Sequence, residues 1–175
     1  MIFKKTKIKD CVEIDLDKKE DERGFFARFF CQDEFKKFNL NNKILQINTS
    51  LTKKAGTLRG LHYQKFPFQE TKVVRCLKGS IYDVVVDLRK KSKTYLKYHA
   101  VTLNEVNRKM LYVPKGCAHG FLSLKNNSEV IYLVSNMYNP KSEAGLNYKD
   151  PKIKIKWPIK IKNITEKDDS WNYLQ

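Results

Sequence analysis

The sequence predicts an all-β fold, either a sandwich or a barrel, from three observations. Short segments rich in alternating, β-branched or aromatic residues recur along most of the chain. Turn-forming residues separate these segments, and only one stretch has the apolar spacing that is typical of a helix. Many short strands joined by turns are characteristic of sandwiches and barrels, in which facing sheets bury one another.

The N-terminal part contains two predicted strands and the predicted helix. Residues 11–16 alternate between apolar and polar side chains, and residues 24–30 form an aromatic strand. The charged run between them is predicted to be a turn, in which Gly24 supplies an unusual backbone angle. Residues 32–38 are predicted to be helical, with Phe35 and Phe38 on one apolar face.

The remaining predicted strands lie in the middle of the chain. They cover residues 45–51, 71–77, 80–88, 98–103, 109–113, 120–124 and 129–137. The segment 80–88 is almost continuously apolar, as expected for a buried strand. The tail after Asn139 is less regular. Because the sequence has no internal repeat, linker or low-complexity region, we expect a single domain over residues 1–175.

The composition indicates a globular protein in a reducing compartment. Of the 175 residues 41% are hydrophobic, yet no run approaches the roughly 20 apolar residues of a membrane span. The N-terminus is basic and lacks the apolar run of a signal peptide. The four cysteines form no C-x-x-C pair and no disulfide framework. We therefore expect a cytoplasmic protein with free thiols that does not bind membranes.

The formal charge of +16 raises the question of an anionic partner. Lysines are spread along the whole chain, which favours a lysine-rich background over a dedicated binding surface. No recognition helix, zinc finger or aromatic RNA-binding motif accompanies the charge, so nucleic acid is not a predicted partner. A small phosphorylated substrate would need only a few of these charges.

The stretch from Gly56 to Gly79 carries the strongest chemical signal. It contains His62, and Arg59, Gln64, Glu70 and Lys72 lie close to it in the sequence. Imidazole is the side chain that exchanges a proton near neutral pH without a large perturbation. A histidine with cationic neighbours on a rigid sheet therefore predicts a base beside an anion site.

Two motifs resemble those of the cupin fold, a double-stranded β-helix or jelly-roll barrel. The first is G-x5-H-x-Q, which ends at Gln64, and the second is P-x-G-x2-H, which ends at His119. Metal-binding cupins use three histidines and a glutamate, but here Gln64 is a poor ligand and Glu70 is not at the usual spacing. Because His62 and His119 alone would form a weak site, the sequence predicts the barrel, with one or two short helices, and no metal.

A set of motifs in a fixed order makes the resemblance specific. They are R-G-F-F, Q-I-N-T-S, L-R-G-L-H-Y-Q, V-V-V-D-L-R-K-K-S, V-P-K-G-C-A-H-G-F-L and a final K-D. From about residue 21 to residue 168 the chain resembles the dTDP-4-dehydrorhamnose 3,5-epimerase family. The resemblance implies a metal-free, cofactor-independent cupin-fold enzyme that acts on nucleotide-linked 4-keto sugars.

The resemblance also implies roles for individual residues. It assigns the base to His62, paired with a carboxylate that we place at Asp168, although Asp169 beside it is barely distinguishable by sequence. Tyr132 matches the acid that donates a proton to the opposite face of the sugar. Lys72, helped by Arg59, is expected to stabilise the developing oxyanion, for which a compact ammonium charge is suited.

A second group of residues matches positions that contact the substrate. Tyr138 is expected to stack on the nucleotide base, and Arg23 and Arg59 suit the diphosphate because a guanidinium makes paired hydrogen bonds to phosphate oxygens. Arg28 stands where the family's R-G-F-F-x-E segment usually has glutamate, which should change what is recognised there. The remaining predicted contacts are Gln46, Asn48, His119, Glu143 and Lys167.

The family resemblance also implies a homodimer with exchanged strands, and residues 25–30 are a candidate interface. Several alternatives in function remain open. The substrate could carry GDP or CDP, and only C3 or only C5 could be inverted. A metal-dependent cupin enzyme and a non-catalytic binding barrel are further alternatives. His62, His119, Tyr132 and Tyr138 each also have a purely structural interpretation as sheet, turn or core residues.

Overall fold

The structure, a computed structural model, describes residues 1–174, and its regular secondary structure consists mainly of antiparallel strands. The strands are β1 (Ile2–Lys5), β2 (Val12–Asp15), β3 (Lys18–Asp21), β4 (Gly24–Ala27), β5 (Gln46–Thr52), β6 (Leu58–Gln64), β7 (Lys72–Lys78), β8 (Ser80–Asp87), β9 (Tyr98–Asn104), β10 (Met110–Val113), β11 (Cys117–Ser123), β12 (Ser128–Val134) and β13 (Glu143–Gly145). The helices are α1 (Gln32–Lys37), α2 (Glu166–Asp169) and a 3₁₀ turn at Pro140–Ser142.

Two sheets face each other across one core and form a cupin-type barrel, as the sequence predicted. The first sheet has six strands in the order β1-β2-β10-β7-β12-β5, and the second has five in the order β13-β6-β11-β8-β9. Strands β3 and β4 form a separate hairpin. No helix within residues 1–174 is long and apolar enough to span a membrane.

Strand alternation sorts the side chains into three apolar layers. One cluster, which includes Val74, Val85 and Phe121, contains residues of both sheets and fills one end of the barrel interior. A second cluster packs Phe35 of α1 against the outer face of the six-stranded sheet. The third covers the outer face of the five-stranded sheet with the chain around Ile153. The rest of the barrel interior is left for polar side chains.

The structure differs from the predicted elements at several places. The charged run after β2 was predicted to be a turn, but most of it forms strand β3. This strand pairs with β4, from Lys18 opposite Ala27 to Asp21 opposite Gly24. The predicted aromatic strand 24–30 ends at Ala27, and Phe29 and Phe30 instead pack against the cluster around α1. Predicted strand 129–137 ends at Val134, and 120–124 is part of a strand that already begins at Cys117.

Three elements of the site were not assigned from the sequence. Residues 58–64 form β6, although their burial pattern lacks a clean alternation because the strand is covered on both faces. The tail adds β13, which pairs with β6, and α2. All three gain their stability from long-range contacts, and local periodicity therefore gives little sign of them.

Candidate active site

His62 and Asp168 form a short hydrogen-bonded pair between β6 and α2. His62 Nε2 lies 2.6 Å from Asp168 Oδ1, and the backbone amide of Gly60 donates to Asp168 Oδ2 at 3.0 Å. Gly60 has a φ of +126°, which favours glycine, and this conformation aims its amide at the carboxylate. Because Nε2 is engaged, Nδ1 is the ring nitrogen that is left to exchange a proton.

The surroundings of Asp168 keep it ionised. Burial acts to raise the pKa of Asp168, but the hydrogen bonds from His62 and Gly60 outweigh it and hold that pKa below its ordinary value. Thr165 caps α2 by accepting from the Asp168 amide at 3.2 Å. The neighbouring Asp169 is exposed and pairs with Lys149 instead, at 3.0 Å. The structure thus separates two residues that the sequence did not.

Tyr132 lies on β12 of the six-stranded sheet, which faces the sheet that carries His62. It pairs in register with Asn48 of β5 and Val74 of β7. Burial raises the pKa of Tyr132 above its ordinary value, the charge of Glu70 adds to the increase, and Arg59 opposes it. The phenol is therefore protonated at neutral pH and can act as an acid.

Lys72 begins β7 and is held by a carboxylate. Its Nζ lies 3.2 Å from Glu70 Oε1, and both side chains are mostly buried, with 14% and 11% of their surface exposed. Gln64 donates from Nε2 to the other oxygen of Glu70 at 2.8 Å. This arrangement places one ammonium group, with a fixed partner, beside His62 and Tyr132.

Two adjoining cavities bring most of the predicted site residues together. His62, Lys72 and Tyr132 line both cavities, whose volumes are about 450 and 190 Å³. The larger cavity is also lined by Gln46, Asn48, Tyr63, Gln64, Glu70, Val134, Tyr138 and Glu143. The smaller is also lined by Ser50, Arg59, Val74, His119, Gly120, Phe121, Val130, Thr165 and Asp168.

Arg59 and His119 complete the smaller cavity. His119 of β11 lies opposite His62 of β6 in the strand register, and its Nε2 is 2.8 Å from Oδ1 of the fully buried Asp83. Arg59 donates from Nε to Thr52 at 3.0 Å and from Nη2 to the Leu51 carbonyl at 3.2 Å. Hydrogen bonds to other protein groups thus hold the Arg59 guanidinium and the His119 imidazole in place.

A polar network borders the larger cavity. The Tyr138 hydroxyl donates to Glu143 Oε2 at 2.7 Å, and Lys167 Nζ donates to both oxygens of Glu143 at 2.7 and 2.8 Å. The Tyr138 amide donates to Gln46 Oε1 at 3.0 Å. The tail segment with Lys167, strand β13 and the edge strand β5 therefore meet at this border.

Arg23 and Arg28 are not brought to the cavities. Both are exposed residues at the β3–β4 hairpin, where Arg23 pairs with Asp21 at 2.6 Å and Arg28 with Glu34 at 2.8 Å. They line neither cavity. Within one chain these two predicted contacts stand apart from the others, and a role in binding would require the hairpin of a second chain.

The polar groups of the site are bonded to one another rather than arranged around a common centre. Within residues 1–174, no group of three or more histidine, cysteine, aspartate or glutamate side chains could hold a metal ion. His62 and His119 each bond to a separate carboxylate, Asp168 and Asp83. The donor set present does not fit a metal-binding cupin.

Sequence reasoning did not assign several residues that the structure places at the site. Ser50 and Tyr63 line the cavities, Asp83 bonds to His119, and the ring of Trp171 lies 6.3 Å from that of His62. Ser50 shares a strand face with Gln46 and Asn48, so alternation along β5 could have indicated it. Asp83 and Trp171 meet the site only through tertiary contacts, for which the sequence has no local signal.

A cupin-type barrel in which a histidine of one sheet pairs with a helical carboxylate and faces a tyrosine of the other sheet has the arrangement of an acid–base enzyme. Comparison with known proteins specifies it further. The family model described as dTDP-4-dehydrorhamnose 3,5-epimerase matches residues 5–175. The chain therefore belongs to the dTDP-4-dehydrorhamnose 3,5-epimerase family.

Individual relatives are similar over nearly the whole chain. A dTDP-4-dehydrorhamnose 3,5-epimerase from Methanothermobacter thermautotrophicus is 38% identical, covering 99% of this chain and 94% of its own. The crystal structure of the Elizabethkingia anophelis NUHP1 epimerase of that name has a TM-score of 0.96 and 37% identity, covering 99% and 96% of the two chains. A Legionella pneumophila dTDP-6-deoxy-D-glucose-3,5-epimerase in complex with dTDP-4-keto-L-rhamnose has a TM-score of 0.91 and 32% identity, covering 98% and 92%.

Proposed function

We propose that this protein is a nucleotide-sugar epimerase that converts dTDP-4-dehydro-6-deoxyglucose to dTDP-4-dehydrorhamnose by inverting C3 and C5. The observation that carries the proposal is the placement of His62 and Tyr132 on facing sheets around shared cavities. The family and its ligand-bound relative support the substrate class. The larger cavity, of about 450 Å³, lies within the range of about 300–1,000 Å³ that is usual for small-molecule sites.

The reaction begins with removal of a carbon-bound proton. The C4 ketone acidifies the hydrogens at C3 and C5, since the electron pair left by either proton delocalises onto the ketone oxygen. His62 accepts this proton at Nδ1, while Asp168 orients the ring and stabilises the imidazolium through Nε2. The C–H bond breaks and an enolate forms.

Lys72 stabilises the enolate oxygen. The ammonium is a compact point charge on a mostly buried side chain, where an electrostatic interaction is stronger than in water. Arg59, fixed by Thr52, adds a second positive charge at the smaller cavity. Neither group has to move far when the negative charge develops, because each already has a protein partner.

Tyr132 completes the inversion. Its phenol donates a proton to the carbon from the face opposite His62, so that a new C–H bond forms with inverted configuration. The raised pKa of Tyr132 keeps the proton available at neutral pH. The proton held by His62 then leaves to solvent, and solvent reprotonates Tyr132, which restores the enzyme. Repetition at the second carbon gives the doubly inverted product.

The border of the larger cavity is the proposed binding region for the rest of the substrate. Gln46 and Asn48 of β5 line the larger cavity, and the ring of Tyr138, a residue that is 55% exposed, is available for stacking on the base. Glu143, Lys167 and His119 provide further polar contacts. Arg59 and Arg23 are proposed for the diphosphate and Arg28 for the nucleotide, and Arg23 and Arg28 would reach the substrate from a second chain.

We further propose that residues 1–175 form one domain and that the enzyme is a cytoplasmic homodimer. The exposed aromatic residues of the β3–β4 hairpin, Phe25 and Phe26, support an interface at this end of the molecule. Light scattering of the purified protein measures the mass in solution. A mass of one chain would overturn the dimer.

The function is tested by proton NMR in heavy water with dTDP-4-dehydro-6-deoxyglucose. Wild-type protein should incorporate deuterium at both C3 and C5 in the presence of a chelator, and His62→Ala should abolish the exchange. His99→Ala is the matched control, because His99 pairs with Glu13 at 3.0 Å and lines neither cavity. Full activity of His62→Ala would refute the assignment of the base.

The same assay separates the alternatives. Deuterium at only one carbon would make the protein a single-carbon epimerase. Exchange with a GDP- or CDP-linked keto sugar, but not with the dTDP-linked one, would change the nucleotide. Loss of all exchange on treatment with the chelator would favour a metal-dependent cupin enzyme over the proposed mechanism.

A further inference from the structure

Glu70 is an acidic residue inside a site that binds and forms negative charge. It lines the larger cavity with His62, Lys72 and Tyr132, and its side chain is only 11% exposed. The proposed chemistry assigns it no role. A buried carboxylate in this position would oppose an anionic substrate, so its presence requires a function of its own.

The Glu70 carboxylate is held rigidly on both sides. One oxygen accepts from Gln64 Nε2 at 2.8 Å, and the other lies 3.2 Å from Lys72 Nζ. Gln64 is itself anchored, because its Nε2 also contacts the carbonyls of Phe68 and Met137 at 2.9 and 3.1 Å. Its Oε1 accepts from the Asn139 amide at 2.7 Å. These hydrogen bonds and the ion pair therefore fix the side chains of Gln64, Glu70 and Lys72 relative to one another.

We propose that Glu70 is a positioning residue for the epimerisation, which fixes the Lys72 ammonium toward the cavity and favours the protonated, acidic form of Tyr132. The inference rests on the proposed function of the same site. An ammonium group has three N–H donors. With one directed to Glu70, the remaining two are available to the enolate oxygen, and the long lysine side chain loses little further freedom on binding.

The charge of Glu70 acts on Tyr132 as well as on Lys72. A nearby carboxylate disfavours a second negative charge, and Glu70 is the largest charged contributor to the raised pKa of Tyr132 after burial. The other titratable or charged groups around the two cavities are Arg59, His62, Tyr63, Lys72, His119, Tyr138, Glu143 and Asp168. Of these, Arg59 is the group that opposes the effect of Glu70 on Tyr132.

The test uses Glu70→Gln, which keeps the size of the side chain but removes its charge and replaces one of its two acceptor oxygens with an NH2 donor, so that it cannot accept from both Gln64 and Lys72. We expect kcat to fall about tenfold with little change in KM, because the enolate is stabilised less while the substrate is still bound. The alkaline limb of the kcat profile should move to lower pH. Glu105→Gln is the matched control, since Glu105 is a partly exposed carboxylate outside both cavities, and it should leave both values unchanged.

A second measurement does not depend on turnover. The ionisation of Tyr132 is followed by carbon NMR of ring-labelled tyrosine, with Tyr132→Phe used to assign its signal. Its midpoint should be lower in Glu70→Gln than in the wild type, while circular dichroism monitors the fold. An unchanged Tyr132 midpoint would overturn the inference even if kcat falls. Wild-type protein that fails to turn over the substrate would instead contradict the proposed function, and the NMR midpoint would still decide the role of Glu70.

Discussion

At the scale of single residues, the two adjacent carboxylates of α2 show how surroundings decide a role. Asp168 is 5% exposed and accepts hydrogen bonds from His62 and the Gly60 amide. Asp169 points to the surface, where its pairing with Lys149 is worth little because solvent screens it. The same type of side chain can therefore orient a base at one position and make only a solvent-exposed ion pair at the next.

Asp168→Asn should abolish most of the activity, and Asp169→Asn should not. The asparagine keeps the size of the side chain but no longer stabilises the imidazolium, so we expect kcat to fall by about 10²-fold or more. Asp169→Asn should stay within a factor of about two, as expected for loss of an exposed ion pair. Initial rates of C3 and C5 inversion by NMR check both variants. Equal losses in the two would contradict the assignment of Asp168.

At the scale of elements, Asn147 and Trp171 take part in the contacts that hold the tail with Asp168 to the barrel. Asn147 donates from Nδ2 to the carbonyls of Asp169 and Trp171 at 3.0 and 2.8 Å. Trp171 packs directly over Gly145 of β13, which lies opposite His62 in the strand register. Because Gly145 lacks a side chain, the indole can come close to β13 and hold α2 over the site.

Gly145→Ala should displace Trp171 and loosen the tail. A Cβ at this position would overlap the Trp171 ring, and Gly145 does not have a positive φ, so the expected effect is steric. We expect kcat to fall about tenfold because Asp168 is held less firmly against His62. The double variant Gly145→Ala/Trp171→Ala should relieve the overlap, and its unfolding temperature should exceed that of Gly145→Ala. Wild-type kinetics for the single variant would show that Trp171 does not hold α2.

A second element, the loop after β8, is organised by Asp87. The Asp87 carboxylate is fully buried and accepts from the Arg89, Ser92 and Thr94 side chains at 2.6 to 2.9 Å. Burial acts to raise the pKa of Asp87, but these hydrogen bonds outweigh it and lower that pKa from 3.8 to about 2. Since the pKa is lower in the folded protein, the ionised carboxylate stabilises the fold above the unfolded pKa near 3.8.

Asp87→Asn should lower the free energy of unfolding by about 2 kcal/mol at pH 7, as the shift of the pKa implies. The difference from the wild type should shrink as the pH falls from about 4 toward about 2, because the wild-type carboxylate then becomes protonated as well. Urea unfolding at a series of pH values measures it. Asp10→Asn, which removes the exposed partner of Arg89, is the control and should cost less than about 1 kcal/mol. A difference that does not depend on pH would contradict this interpretation.

At the scale of the whole molecule, the six-stranded sheet ends in an edge that is unusually apolar. Strand β5 is the edge strand, and its outward residues Ile47 and Leu51 are 62% and 50% exposed. Exposed apolar edge strands invite pairing with another chain. The inward residues of the same strand, Gln46 and Asn48, line the larger cavity. An interface at β5 would therefore lie directly behind the substrate site.

Ile47→Asp should shift the proposed dimer toward the monomer. A charged side chain would be buried without a partner at the interface, which is costly, whereas in the monomer it faces solvent. Light scattering with circular dichroism measures mass and fold together. Val106→Asp is the control, because Val106 is 78% exposed on a loop outside the sheet. A dimer that persists in Ile47→Asp would remove β5 from the interface.

The sequence by itself determined the fold class, the order of most strands and the family, because these depend on local alternation and on motifs at fixed separations. Gly60, His62 and Gln64 belong to one short motif, which identified them although the strand that contains them, β6, was not assigned. His119 was likewise identified by a short motif, which ends within β11. Predictions of this kind need only the residue types and spacing within one short segment.

Only the tertiary structure decided which carboxylate meets which cation. Asp168 reaches His62 across 106 residues of sequence, Glu70 pairs with Lys72, and Asp83 bonds to His119. It also showed that Arg23 and Arg28 stand apart from the cavities of their own chain. The physical reason is that ion pairs and buried hydrogen bonds depend on distances of a few ångströms between distant segments, and only the closed barrel sets those distances.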